Sequence, residues 1–177
     1  ADAILKYNPE IDWSNRLIGI KGARGTGKTT ILIQKLKSFF SDNYVALYIS
    51  MDDIYFSANT LIDLTDTFVK NGGKFLLIDE VHKYINWSQE LKNIYDDNPE
   101  LSIVFTSSSA LEIHKGEYDL SRRAIIYNLH ELSLREYINL SRSMQLPVFS
   151  LKNILEKHIG LSREINQLIK PIVLFND

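Results

Sequence analysis

Gly22-Ala23-Arg24-Gly25-Thr26-Gly27-Lys28-Thr29 is the stretch on which the reading of this 177-residue chain turns. It fits G-x-x-x-x-G-K-[ST], directly follows an apolar run at 17–20, and opens a segment of helical spacing at 29–40. Glycines let such a loop wrap a phosphate with its N–H groups pointing inward, because a Cβ would clash with the oxygens or forbid the required φ/ψ. The helix N-terminus behind the loop adds unsatisfied donors and a favourable dipole. Lys28 is expected to neutralise the β- and γ-phosphates and the Thr29 hydroxyl to ligate Mg²⁺, with Thr30 beside the nucleotide but without a metal role. A glycine-rich turn matching by accident is the competing reading, and the flanking strand and helix weigh against it.

Working outward, short apolar runs at 17–20, 45–49, 75–78, 102–106 and 124–129 alternate with helical segments, the pattern of a parallel sheet covered by helices. Helices are predicted at 29–40, around Leu61, Leu64 and Phe68 up to Gly72-Gly73, and at 87–96. Ser133 with Glu136 makes a capping box that opens a helix running to about Met144. Two further helices, 150–159 and 162–169, are split by Gly160. The expected fold is α/β, a three-layer P-loop NTPase with a five-stranded parallel sheet and a short C-terminal helical annex. The core is expected over 1–146 and a helical extension, part of a lid, over 147–177. The apolar residues Ile172 to Phe175 suggest a piece of a longer protein.

The run Phe75-Leu76-Leu77-Ile78 ends in Asp79-Glu80, at the carboxyl end of a strand, where open α/β sheets bind ligands. Asp79 is expected to hold Mg²⁺ through a coordinated water, and Glu80 to orient and deprotonate an attacking water. Helix capping by either acid is the bland alternative.

With these residues in place, the sequence resembles the prokaryotic AAA-like P-loop ATPases of the additional-strand class, in which a glutamate directly follows the Walker-B aspartate. The resemblance runs over about 15–140. It rests on the loop, on Leu76 to Lys83, on Trp87 with Leu91-Lys92, on Ile103 to Ser109, and on Leu129-His130-Glu131-Leu132-Ser133 before Glu136-Tyr137. It implies ATP hydrolysis, a sheet in which the third and first motif strands are adjacent, and often a nuclease-like C-terminal extension. It also implies a polar sensor after the fourth strand, Thr106 ahead of Ser107, and an arginine before the fifth, Arg123 ahead of Arg122. Helix capping by Ser107 to Ser109 and simple solvation of the arginines are the alternatives. Asp52-Asp53 fit a turn or cap at least as well as a site, and Arg163 is a candidate second sensor. Asp79-Glu80-Val81-His82 also spells a helicase-style box, for which a second such domain would be needed. His82, His114, His130 and His158 show no zinc-ligand spacing.

Composition narrows the partners. A net charge of −2 gives no global footprint for nucleic acid, and the absence of cysteine removes disulfides and cysteine-based metal sites or nucleophiles. No apolar run is long enough to span a membrane, and a cytoplasmic setting is expected. The leading expectation is an ATPase using ATP and Mg²⁺, coupled to a C-terminal partner domain or to self-association. The alternative is a nucleotide-dependent switch or scaffold with little turnover. A small-molecule kinase ranks lowest, since 112–119 is short and mixed in charge. GTP is disfavoured because no Asn-Lys-x-Asp pattern occurs.

Overall fold

The computed structural model describes residues 11–41, 44–108, 120–142 and 145–173. The segment 112–119, Ser109, His114, Met144 and the end of the apolar terminus lie outside the described residues. The chain divides into two compact units, Ala1–Glu131 and Leu132–Asp177.

In the first unit, β1 (Leu17–Lys21), β2 (Ala46–Ser50), β3 (Phe75–Asp79), β4 (Ser102–Ser107) and β5 (Ile125–Asn128) form one sheet in the order β2-β3-β4-β1-β5. Every pairing is parallel. The helices are α1 (Lys28–Ser41), α2 (Leu61–Lys70) and α3 (Trp87–Asp97). The strands are apolar on successive residues because both faces are covered. Ile18, Ile20, Leu77 and Val104 pack with Ile31, Leu32 and Phe39 of α1. Leu17, Leu76, Ile78, Ile103 and Phe105 pack with Leu61, Trp87, Leu91 and Ile94 of α2 and α3.

The strand order corrects one expectation. The third and first motif strands are not adjacent: β4 lies between β1 and β3, pairing with both. Its carboxyl end therefore sits between the phosphate-loop strand and the acidic pair.

Local chemistry sets the element ends. Thr60 caps α2 by accepting from the Asp63 N–H at 3.1 Å, and the helix stops at Gly72, whose φ of 86° is left-handed. A second cap reaches across from α3. The buried Glu90 carboxylate accepts from the N–H groups of Leu61 (3.0 Å) and Ile62 (3.2 Å) and from the Tyr84 hydroxyl (2.7 Å). This joins α2 to α3 through the free donors of a helix start.

In the second unit, α4 (Leu134–Arg142) opens with the expected capping box: Ser133 N–H donates to Glu136 at 2.7 Å and Glu136 N–H to the Ser133 hydroxyl at 3.3 Å. The span α5 (Leu151–Val173) holds the two helical pieces predicted on either side of Gly160, joined across a kink. Its break falls instead at Lys157, with φ −132° and ψ 17°, so the glycine is accommodated within the helix.

Replacing Glu90 with Ala leaves two helix-start donors and a phenol without their acceptor in a buried place. The expected cost is about 2–4 kcal/mol, read as a lowered midpoint in urea unfolding with an unchanged slope.

Candidate nucleotide and metal site

The loop leaves β1 at Lys21 and turns into α1 at Lys28, with Gly25 at φ 84° and Gly27 at φ 96°. A Cβ would meet nothing within 4 Å at either position, so backbone conformation, and not space, calls for glycine there. Gly22 is different: a Cβ would lie 2.4 Å from the Leu129 carbonyl oxygen, because the end of β5 presses against the loop. The buried Lys28 ammonium donates to the carbonyls of Gly22 (2.9 Å) and Ala23 (2.7 Å), and burial draws its pKa below the ordinary lysine value against the opposing pull of Asp79 and Glu80. Thr26 donates to the Ala23 carbonyl at 2.9 Å, and Arg24 stands exposed. Thr30 is half-buried in the first turn of α1.

Asp79 ends β3 on the α1 side of the sheet and is 4% exposed. Its Oδ2 accepts from the Thr29 hydroxyl at 2.6 Å and from the Tyr48 hydroxyl at 3.0 Å, and its Oδ1 accepts from the Thr106 hydroxyl. Burial and the Asp79 charge push the Tyr48 phenol up to about 12, so it is a neutral donor at any ordinary pH. The paired Thr29 hydroxyl and Asp79 carboxylate are hard oxygen donors at the mouth of the phosphate loop, a set that fits Mg²⁺ and not a softer metal.

Glu80 is half-buried and takes a left-handed backbone, φ 54° and ψ 45°, unusual for a residue with a Cβ. Its N–H donates to Thr106 Oγ1 at 3.0 Å, and its carbonyl accepts from the Lys83 N–H at 2.9 Å. Thr106, fully buried, thus spends its hydroxyl on both acidic residues. Ser107 is also buried, and its hydroxyl has no partner among the described residues. The Ser108 hydroxyl meets His82 Nε2 at 2.7 Å, which accounts for that histidine without a metal.

The remaining candidates fall elsewhere. Arg123 stands at the amino end of β5, whose other end, Asn128, is level with Lys21. At about 3.3 Å per residue the five steps from Arg123 to Asn128 span at most roughly 17 Å, which sets Arg123 at the opposite end of the strand from the loop. Its guanidinium makes a two-pronged pair with Asp96 of α3, both contacts 2.8 Å, which holds the Asp96 carboxyl below its ordinary value. Arg122 is exposed. Asp53 caps the short turn Ile54–Ser57 by accepting from the Tyr55 N–H at 2.8 Å, and Asp52 makes a surface ion pair with Lys83 at 3.7 Å. Arg163 lies exposed on α5 of the second unit. Tyr48 and Asp96 carried no sequence signal, since neither belongs to a motif and each meets its partner only through the packing of separate elements.

The sequence model of the family described as AAA domain matches residues 14–138. An uncharacterized protein of Methanocaldococcus jannaschii, MJ1637, is 30% identical over 173 residues, covering 91% of this chain and 36% of that protein. The chain therefore spans little more than a third of that relative's length. AMPPCP-bound DnaA from Aquifex aeolicus aligns with a TM-score of 0.52 at 18% identity, over 96% of this chain and 58% of that one. The replication initiator DnaA bound to AMPPCP and single-stranded DNA aligns with the same TM-score at 20% identity, over 96% and 59%. These likenesses extend to the fold, an α/β P-loop NTPase sheet. No helix among the described residues is long and apolar enough to cross a membrane.

The hydroxyls of Thr106 and Ser107 separate cleanly by experiment. Thr106→Val strips a donor from Asp79 and an acceptor from the Glu80 N–H, at an expected cost of about 1.5–3 kcal/mol. Ser107→Ala removes a hydroxyl that has no partner among the described residues and should leave the thermal midpoint nearly unmoved.

Proposed function

The chain belongs to the AAA domain family, and we propose that it binds ATP at Gly22 to Thr30 and hydrolyses it with Mg²⁺. The observation that carries this reading is the 2.6 Å hydrogen bond from Thr29 to Asp79, which joins the phosphate loop to the acidic strand end. The inward N–H groups of the loop and the Lys28 ammonium take the β- and γ-phosphate oxygens, the ammonium leaving the loop carbonyls to do so. Thr29 directly and Asp79 through a coordinated water would hold Mg²⁺, which would supply charge neutralisation at those oxygens. Glu80 accepts a proton from the attacking water. The water oxygen bonds to the γ-phosphorus as the bond to the bridging oxygen breaks, and ADP leaves. Thr106 contributes by fixing Asp79 and the Glu80 backbone together, which holds the base in register with the metal pair.

One observation favours a second reading, a nucleotide switch with slow turnover. Arg123 lies too far from the loop of its own chain to touch a phosphate there. If it stabilises the transferring phosphoryl group, it does so at the loop of a neighbouring copy, and the isolated chain lacks that charge. What the turnover drives, whether through self-association or through a partner domain, is part of the same proposal.

Steady-state ATP hydrolysis and ATP binding, compared between the unaltered chain and Glu80→Gln, test the enzyme reading. Turnover in the first and retained binding with at least a hundred-fold slower turnover in the second is the expected pair; equal turnover would sink Glu80 as the base. For Arg123, specific activity should rise with protein concentration, and Arg123→Ala should flatten that rise while binding persists. A flat profile in the unaltered chain returns Arg123 to its ion pair with Asp96.

A further inference from the structure

Tyr48 is outside every motif, yet its hydroxyl lies 3.0 Å from Asp79 Oδ2, the same oxygen that takes the Thr29 hydroxyl at 2.6 Å. The register explains how it gets there. Tyr48 of β2 pairs with Leu77 of β3, two residues before Asp79, so both side chains leave the sheet on the α1 face and the phenol runs along it to the carboxylate. A carboxylate oxygen has two lone pairs, and those of Oδ2 are both taken. The second oxygen, Oδ1, is engaged from the β4 side by Thr106. A water ligand of a cation held beside Thr29 would donate to the carboxylate oxygen nearest Thr29, which is Oδ2.

We infer that Tyr48 is a positioning residue that stands in for the metal-bound water, donating to Asp79 Oδ2 when Mg²⁺ is absent and yielding that lone pair when Mg²⁺ binds. The buried Asp79 anion is thereby kept hydrogen-bonded and turned toward Thr29 in the ligand-free protein. Binding of the cation breaks the Tyr48 bond, so Tyr48 sets how much Mg²⁺ the site requires. This rests on the proposed role of Thr29 and Asp79 as the Mg²⁺ pair.

Tyr48→Phe keeps the ring and removes the donor. The measurement is the Mg²⁺ concentration that gives half-maximal ATP binding in equilibrium dialysis, together with the melting temperature without ATP or Mg²⁺. A hydrogen bond to a charged group is lost from the ligand-free state alone, so the variant should need roughly ten-fold less Mg²⁺ and melt at a lower temperature. An unchanged or increased Mg²⁺ requirement overturns the inference, since a tyrosine that merely packs would not lower it. In the unaltered protein carrying tyrosine labelled with ¹³C at Cζ, the Tyr48 resonance should move when Mg²⁺ and ATP are added together. It should stay in place with ATP and a chelator, and an unmoved resonance in both overturns the inference even if the variant does not fold. ATP binding by the unaltered protein that is indifferent to Mg²⁺ would overturn the metal role of Thr29 and Asp79 as well, and is told apart because it needs no variant.

Discussion

A single buried carboxylate organises this molecule. Asp79 is nearly inaccessible, and an ionised group in such a place is stable only when its lone pairs are occupied. The occupants are hydroxyls drawn from separate elements: Thr29 from the start of α1, Tyr48 from β2 and Thr106 from β4. Each bond fixes where its element must end relative to β3. The phosphate loop, the acidic pair and the end of β4 are therefore one constellation, held by hydrogen bonds to a charge worth about 1.5–3 kcal/mol apiece.

The insertion of β4 between β1 and β3 makes that constellation possible. Were β1 and β3 neighbours, the loop would meet Asp79 with no strand between them to supply Thr106. With β4 present, Thr106 bridges the Asp79 carboxylate and the Glu80 N–H, and the left-handed turn at Glu80 is pinned from the side. Backbone strain of that sort persists only where surrounding bonds over-determine it. The same topology sends β5 to the far side of β1, where its carboxyl end packs on Gly22 and its amino end carries Arg123 to the opposite end of the strands. Loop and arginine are thus separated by the length of a strand.

The alternation of strands and helices was legible because each element announces itself locally, through apolar runs, the Thr60 and Ser133 caps and the Gly72 stop. The break in α5 was not, since Gly160 costs a helix only about 1 kcal/mol and the chain bends at Lys157 instead. Asp52 and Asp53, ambiguous in sequence, resolve into a surface pair and a cap once their neighbours are in place.

The sequence by itself determined the phosphate loop and the acidic strand end. Their chemistry depends on residues adjacent in the chain: glycines that permit the turn, a lysine and a threonine at fixed steps along a helix start, and two acids following an apolar run. Only the tertiary structure decided which strand lies beside which, and with it the commitment of Thr106 to both acids, the reach of Tyr48 to Asp79 and the pairing of Arg123 with Asp96. Those contacts join residues 26 to 31 positions apart. Their partners are set by sheet order and register, which no local pattern of side chains encodes.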